Sequence, residues 1–223
     1  MDAGADVLDV NVGLPGIDEK TMLPRAVQEL QAVLPLPLQI DSADPEAMAR
    51  AARLYNGRPL INSVSGKRAS MDAVFPVAQK YGAVLIALTL DDEGTPDSAA
   101  GRVAVAEKIL AEAETYGIGP ERIIFDPLAM SVSTGGGALA TLDALSELSR
   151  RGLCTSLGVS NVSFGLPARA RLNAAFFAEA LSRGLSAGIV NPLDTGLMDA
   201  AACHRVLFGY DADCGNYIAR FAE

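Results

Sequence analysis

Seven short runs of apolar, largely β-branched residues recur along the chain, and each delivers an aspartate or asparagine at or near its end. They are VLDVNVG from Val7, LQIDS from Leu38, LINSV from Leu60, AVLIALTLD from Ala83, IIFDPLA from Ile123, SLGVSNV from Ser156 and GIVNPLD from Gly188. Most of these runs are continuously apolar rather than alternating. Such runs suit parallel strands that are covered on both faces by helices, not a sheet with one face in water.

Alanine-rich stretches with helical signals lie between the runs. DPEAMARAARLYNG opens with Asp44 at a capping position and Pro45 in the first turn, and ends on Asn56-Gly57. DAVFPVAQKYG and AAGRVAVAEKILAEAETYGIG both end in glycine, which accepts the positive φ that terminates helices. Pro76 is expected to kink the first of these or to mark a short helix. ATLDALSELSRRG and LNAAFFAEALSRGL repeat the scheme, with Phe176, Phe177 and Leu181 as core packing, and LMDAAACHRVLFG reads as the last helix. No linker or change of composition divides residues 1–223, so one α/β domain is expected. Its strand-then-helix unit of about 20 to 37 residues is that of a (β/α)8 TIM barrel.

Seven strands are one fewer than a closed barrel needs. DAGADVLDV at the start reads as the end of a helix running into a strand. The expected architecture is therefore a barrel lacking its first strand and most of its first helix, with open edges at VLDVNV and GIVNPL. A doubly wound open sheet is the alternative, but its G-x-G-x-x-G turn is absent.

Composition narrows the partners. A formal charge of −9 argues against nucleic acid and against an anionic membrane surface. No apolar run approaches the roughly 20 residues of a membrane span, and no secretory signal pattern is visible, so a cytoplasmic protein is expected. Cys154, Cys203 and Cys214 are widely spaced and His204 is the only histidine, which gives no metal-ligand cluster and suits reduced thiols.

In barrels of this kind, functional side chains sit at the C-terminal ends of the strands. Here those ends offer Asp9 and Asn11, Asp41 and Ser42, Asn62 and Ser63, Asp91 and Asp92, Asp126, Ser160 and Asn161, and Asn191 and Asp194. None offers histidine, cysteine or lysine, which excludes the usual nucleophile–base triads and a Schiff base. Strand ending and helix capping account for an Asp or Asn at any one tip, Asp44, Asp91 and Asp92 among them. Accumulation over five or more neighbouring tips points to a ligand. Paired carboxylates also serve glycoside hydrolysis and divalent metals. With no tryptophan and 5% aromatic residues, the chain lacks a platform for sugars. A mixed amide–carboxylate lining suits a planar heterocycle, because a carboxylate accepts two parallel N–H bonds and an amide both donates and accepts.

The motifs DVNVG, QIDS, LINSVSG, LTLDDEGTP, IIFDPLAMSVS and LGVSNVSFGLPARARLN occur in that order over nearly the whole chain. Together they resemble the pterin-binding methyltransferase family. That family includes methyltetrahydrofolate:corrinoid/iron–sulfur protein methyltransferase and the folate domain of cobalamin-dependent methionine synthase. The resemblance implies a TIM barrel that moves a methyl group between N5 of methyltetrahydrofolate and the cobalt of a corrinoid (cobalamin) on a partner protein, with no metal of its own. By position, Asp41, Asn62 and Asp126 correspond to the family's pterin-ring ligands, Asp126 taking the 2-amino and N3–H edge. Asn161 corresponds to the asparagine near N5, so Asn161 and Asp126 are the expected catalytic pair. Asn11 lines the same pocket, and Arg169 falls near the folate tail or the pocket rim. The family often forms homodimers.

Two other readings accompany this one. Dihydropteroate synthase resembles the chain at IDS, INSVSG and DPL, but it carries Ser-Arg-Lys where this chain has Ser160-Asn161-Val162. A non-catalytic folate-binding fragment or subunit is the other, because of the open barrel. The glycine-rich STGGGA, Ser133 to Ala138, lacks the Lys-Ser/Thr of a phosphate loop and reads as a mobile top-face loop near the folate tail or the corrinoid partner. His204 reads as structural or solvated.

Overall fold

The computed structural model describes residues 3–135 and 137–222. Strands and helices alternate: β1 (Leu8–Asn11), α1 (Glu19–Val33), β2 (Leu38–Asp41), α2 (Pro45–Leu54), β3 (Leu60–Ser65), α3 (Arg68–Tyr81), β4 (Val84–Leu88), α4 (Ala99–Thr115), β5 (Ile123–Asp126), α5 (Ala138–Arg150), β6 (Cys154–Gly158), α6 (Arg169–Ser182), β7 (Ala187–Ile189), α7 (Thr195–Leu207) and α8 (Gly215–Phe221). The strands run parallel in chain order from β1 to β7, each paired with the next. This is the TIM-barrel arrangement, left open between β1 and β7 among the described residues. A cavity of about 250 Å³ is bordered by residues of both edge strands, Leu8 and Asp9 on one side and Ala187 to Ile189 on the other.

The outward face of the sheet carries the core. Val10, Leu38, Ile40, Ile61, Leu85, Ala87, Ile123 and Phe125 are buried together with helix residues such as Leu23, Met48, Phe75 and Ile109. A second cluster joins Leu145 and Leu157 to Phe176, Phe177 and Ala180. Asp44 caps α2 as expected, accepting from the backbone N–H groups of Glu46 and Ala47. Gly82 ends α3 in the left-handed region at φ 64°.

Several local expectations are corrected. Residues 3–7 hold a turn, irregular chain and bends rather than the end of a helix, and Met1 and Asp2 lie outside the described residues. Helix α1 has no counterpart in the sequence reading. Its signals are the Asp18 cap, which accepts from Lys20 N–H, and Glu19 in the first turn. Pro76 neither ends nor splits α3, which continues through it. Helix α7 is not the last, because α8 follows it. Strand β6 stops at Gly158, and Val159–Ser163 winds into a 3-10 turn. Asn161 is therefore carried by a turn beyond the strand, not by the strand itself.

Candidate active site

The side chains that gather at the mouth follow from register. Asn11 pairs with Asp41 across β1 and β2, and Asp41 with Asn62 across β2 and β3. Leu88 pairs with Asp126 across β4 and β5. Strand side chains alternate between faces. Two residues earlier on each strand, Asp9, Gln39, Leu60, Ile86, Ile124 and Ser156 line the barrel interior. Asn11, Asp41, Asn62 and Asp126 therefore form the next inward-facing layer, at the C-terminal ends of their strands.

One side of this layer is an acidic network. Asn11 Nδ2 donates to Asp41 Oδ2 at 2.9 Å, while its Oδ1 accepts from Gly13 N–H at 2.8 Å. Below them, Gln39 Nε2 donates to Asp9 Oδ1 at 2.7 Å. Ser42 Oγ donates to Glu19 Oε2 at 2.5 Å. Burial raises the pKa of Asp41 above the usual carboxylate value; the Asn11 amide opposes this and the Glu19 charge adds to it. Withdrawal from water, then the Asp41 charge, likewise raises Asp9, although its outer edge meets solvent on the open β1 side.

Asp126 is 6% exposed. Its Oδ1 accepts from Leu128 N–H at 2.7 Å, and the Gly158 backbone N–H lies near enough to favour the ionised carboxylate. Its own carbonyl is fixed by Thr89, whose N–H donates at 3.0 Å and whose hydroxyl donates at 3.3 Å. Burial pushes its pKa from 3.8 to about 6, against the pull of the two N–H groups and the nearby Arg102 guanidinium. The carboxylate is thus poised to change protonation near neutral pH.

Asn161 is exposed on its turn. A Cβ added at Gly158 would lie 3.1 Å from Asn161 Nδ2, so the bare glycine gives the amide room to fold back toward β6. The backbone N–H of the same glycine acts on the Asp126 carboxylate, so one residue bears on both ends of the site. Arg169 does not point freely into solvent. Its Nε donates to Ser163 Oγ at 3.0 Å and its Nη2 to Ser160 O at 2.8 Å, and its guanidinium lies 5.8 Å from the centre of the Phe164 ring. It braces the turn that carries Asn161. The Gly-rich loop is tied to the same turn: the hydroxyls of Ser131 and Ser133 donate to Phe164 O at 2.7 and 3.0 Å. Gly136 lies outside the described residues.

The remaining tip residues have local duties. Asp91 Oδ1 accepts from Glu93 N–H, and Asp92 Oδ2 accepts from the N–H of Arg68 at the start of α3. Asn191 accepts from Leu193 N–H, and Asp194 caps α7. His204 stacks on Phe208 with ring centres 4.3 Å apart. Among the described residues, no group of three His, Cys, Asp or Glu side chains is placed to hold a metal ion, and no helix is long and apolar enough to cross a membrane.

The family described as pterin binding enzyme matches residues 1–191. A methylcorrinoid:tetrahydrofolate methyltransferase of Eubacterium limosum is 31% identical over 228 residues, covering 100% of this chain and 84% of that protein. The methionine synthase of Mycobacterium tuberculosis is 30% identical over 84% of this chain but only 17% of its own length. The fold is shared with dihydropteroate synthases. The Clostridium difficile enzyme superposes with a TM-score of 0.71 at 23% identity, over 93% of this chain and 84% of that one. The Yersinia pestis enzyme gives 0.72 at 16% identity, over 93% and 84%.

Proposed function

The chain belongs to the pterin-binding enzymes, and from that premise we propose that it transfers a methyl group between N5 of methyltetrahydrofolate and the cobalt of a corrinoid on a partner protein. The observation that carries this reading is the make-up of the mouth. Asp41, Asn62 and Asp126 offer amide and carboxylate edges to a flat heterocycle, Asn161 offers an amide from a separate turn, and none of the strand-tip residues is a histidine, cysteine or lysine. A reaction between two bound partners needs that and no more.

The corrinoid supplies the nucleophilic metal centre in one direction and the methyl group in the other. Everything else falls to this chain. The ionised Asp126 accepts the 2-amino and N3–H hydrogens of the pterin, and Asp41 and Asn62 fix the rest of the ring. A methyl group on N5 leaves only when N5 takes up a proton or a strong hydrogen bond, because the nitrogen is otherwise too basic to depart. As the C–N5 bond breaks, its electron pair stays on N5 with a proton drawn from solvent, and the methyl carbon passes to the cobalt of the partner's corrinoid. Asn161 serves both states, accepting from N5–H or donating to the bare nitrogen by rotating its amide. Asn11 holds the Asp41 side of the pocket in place. Arg169 acts on Asn161 through Ser160 and Ser163.

We infer further that the protein works in the cytoplasm, as a homodimer, with a corrinoid protein as its partner. Sedimentation of the isolated chain tests the dimer. The dihydropteroate synthase neighbours support the alternative only as a fold. Methyltetrahydrofolate binding without turnover would instead favour a non-catalytic folate-binding subunit. The decisive experiment is titration with methyltetrahydrofolate followed by methylation of cob(I)alamin, with Asn161→Ala and Asp126→Ala in parallel. The first should lose about 10²- to 10³-fold in rate with little loss of binding, and the second should lose mainly binding. An unchanged rate in Asn161→Ala would remove N5 from its reach.

A further inference from the structure

Arg102 lies on α4 and is 2% exposed, yet among the described residues it forms no ion pair. Its hydrogen-bond partners are oxygens of neutral groups, and the charges of Asp97 and Asp126 act on it without pairing. Nη1 donates to Pro127 O at 2.7 Å, to Leu128 O at 3.1 Å and to Thr141 Oγ1 at 2.7 Å, and Nε donates to Pro96 O at 2.9 Å. Thr141 passes the contact on, its hydroxyl donating to Leu128 O at 2.9 Å. A buried cation held only by carbonyls and a hydroxyl is costly, so its retention calls for a purpose.

The Pro127–Leu128 turn supplies one. Leu128 sits at φ 65°, a left-handed conformation that a branched L-residue adopts only under restraint. In that conformation its N–H turns back onto Asp126 Oδ1. Releasing its carbonyl from Arg102 and Thr141 frees the turn to relax and takes the N–H with it. We propose that Arg102 is the positioning residue of the pterin end of the site: it clamps the Pro127–Leu128 turn in the one shape that aims the Asp126 carboxylate into the barrel. This rests on the pterin-binding reading for its purpose, though not for its geometry.

Charge acts in the same direction. Arg102 is the charged group whose field reaches Asp126, Asp97 acts on Arg102 itself, and Asp9 and Asp41 stand on β1 and β2 with β3 and β4 between.

The test uses Arg102→Met and Arg102→Lys, each alone and combined with Asp126→Asn. Binding of methyltetrahydrofolate is measured, and the Asp126 carboxyl is titrated by carbon NMR in the ligand-free protein. Arg102→Met is expected to weaken binding at least tenfold and to move the Asp126 midpoint upward from about 6. Arg102→Lys, which keeps the charge but not the fork, should recover the midpoint and only part of the binding. In the Asp126→Asn background the same replacements should change binding less than twofold. A role confined to stability would lower the melting temperature and leave the midpoint where it was, and that result overturns the proposal. So does an equal binding loss with and without Asp126→Asn. If Arg102→Met does not fold, Arg102→Lys decides, because a binding loss that vanishes in the Asp126→Asn background supports the clamp and an unaltered affinity refutes it. A wild-type protein that binds no methyltetrahydrofolate defeats the functional reading instead, and the ligand-free midpoint still tests Arg102.

Discussion

Replacing Asp126 by asparagine should remove a loss of stability that the empty protein suffers as pH rises. Asp126 titrates at about 6 in the folded chain against 3.8 when fully solvated. A carboxyl whose pKa is raised by folding favours the protonated fold. Its stabilising contribution is complete below 3.8 and is lost as pH rises through about 6. The interval is worth about 3 kcal/mol once both limits are passed. Asparagine keeps an oxygen for the Leu128 N–H but places an amino group or the same oxygen against the Gly158 N–H. That mismatch shifts stability by a constant that does not vary with pH. The measurement is urea unfolding of wild type and Asp126→Asn at intervals from about pH 3 to about pH 8. The difference between the two proteins, variant minus wild type, should rise by about 3 kcal/mol over the titration and then level off. Taking the difference removes the contributions of Asp9, Asp41 and His204, which titrate in both proteins. A difference that stays flat across the range would falsify the claim that the fold strains this carboxylate.

Other outcomes follow from the same geometry. Affinity for methyltetrahydrofolate should fall by about tenfold per pH unit below about 6 as Asp126 takes up its proton, checked by fluorescence or calorimetric titration. Gly158→Ala puts a methyl group about 3.1 Å from the Asn161 amide and should cut methyl transfer by about tenfold with little change in melting temperature. A wild-type rate in that variant would show that the amide does not need its present place. Asp44→Ala removes two cap bonds to α2 and should cost about 1 kcal/mol of stability at unchanged activity, measured by unfolding and by turnover.

The layer of Asn11, Asp41, Asn62 and Asp126 was legible because parallel strands announce themselves as apolar runs and these residues close them. The parallel barrel followed from the same pattern, and the open seam from the count of seven. Asn161 was legible as a residue but not as a position, because LGVSNV carries the β-branched composition of a strand into what is a 3-10 turn. Helix α1 escaped notice because Pro24 and a sparse apolar pattern obscure it. Arg169 read as a group near the folate tail; only the structure shows its nitrogens occupied by Ser160 and Ser163. Arg102 leaves a trace in the sequence. It falls at a stripe position with Val105, Ala106, Ile109 and Ala113, all buried. A charge at such a position on an otherwise apolar stripe must find polar partners inside the fold.

Gly158 joins two halves of the mouth that differ in stiffness. The Asp126 half is strand, packed on Phe125 and braced from α4. The Asn161 half is an exposed 3-10 turn, whose hydrogen bonds are geometrically poorer and whose brace is a surface arginine. The site resembles a vice with one fixed jaw and one compliant jaw. Under the proposed function, the fixed jaw would meet the edge of the pterin that stays the same throughout the reaction. The compliant jaw would meet the nitrogen whose bonding changes, where a small adjustment need not loosen the grip on the ring.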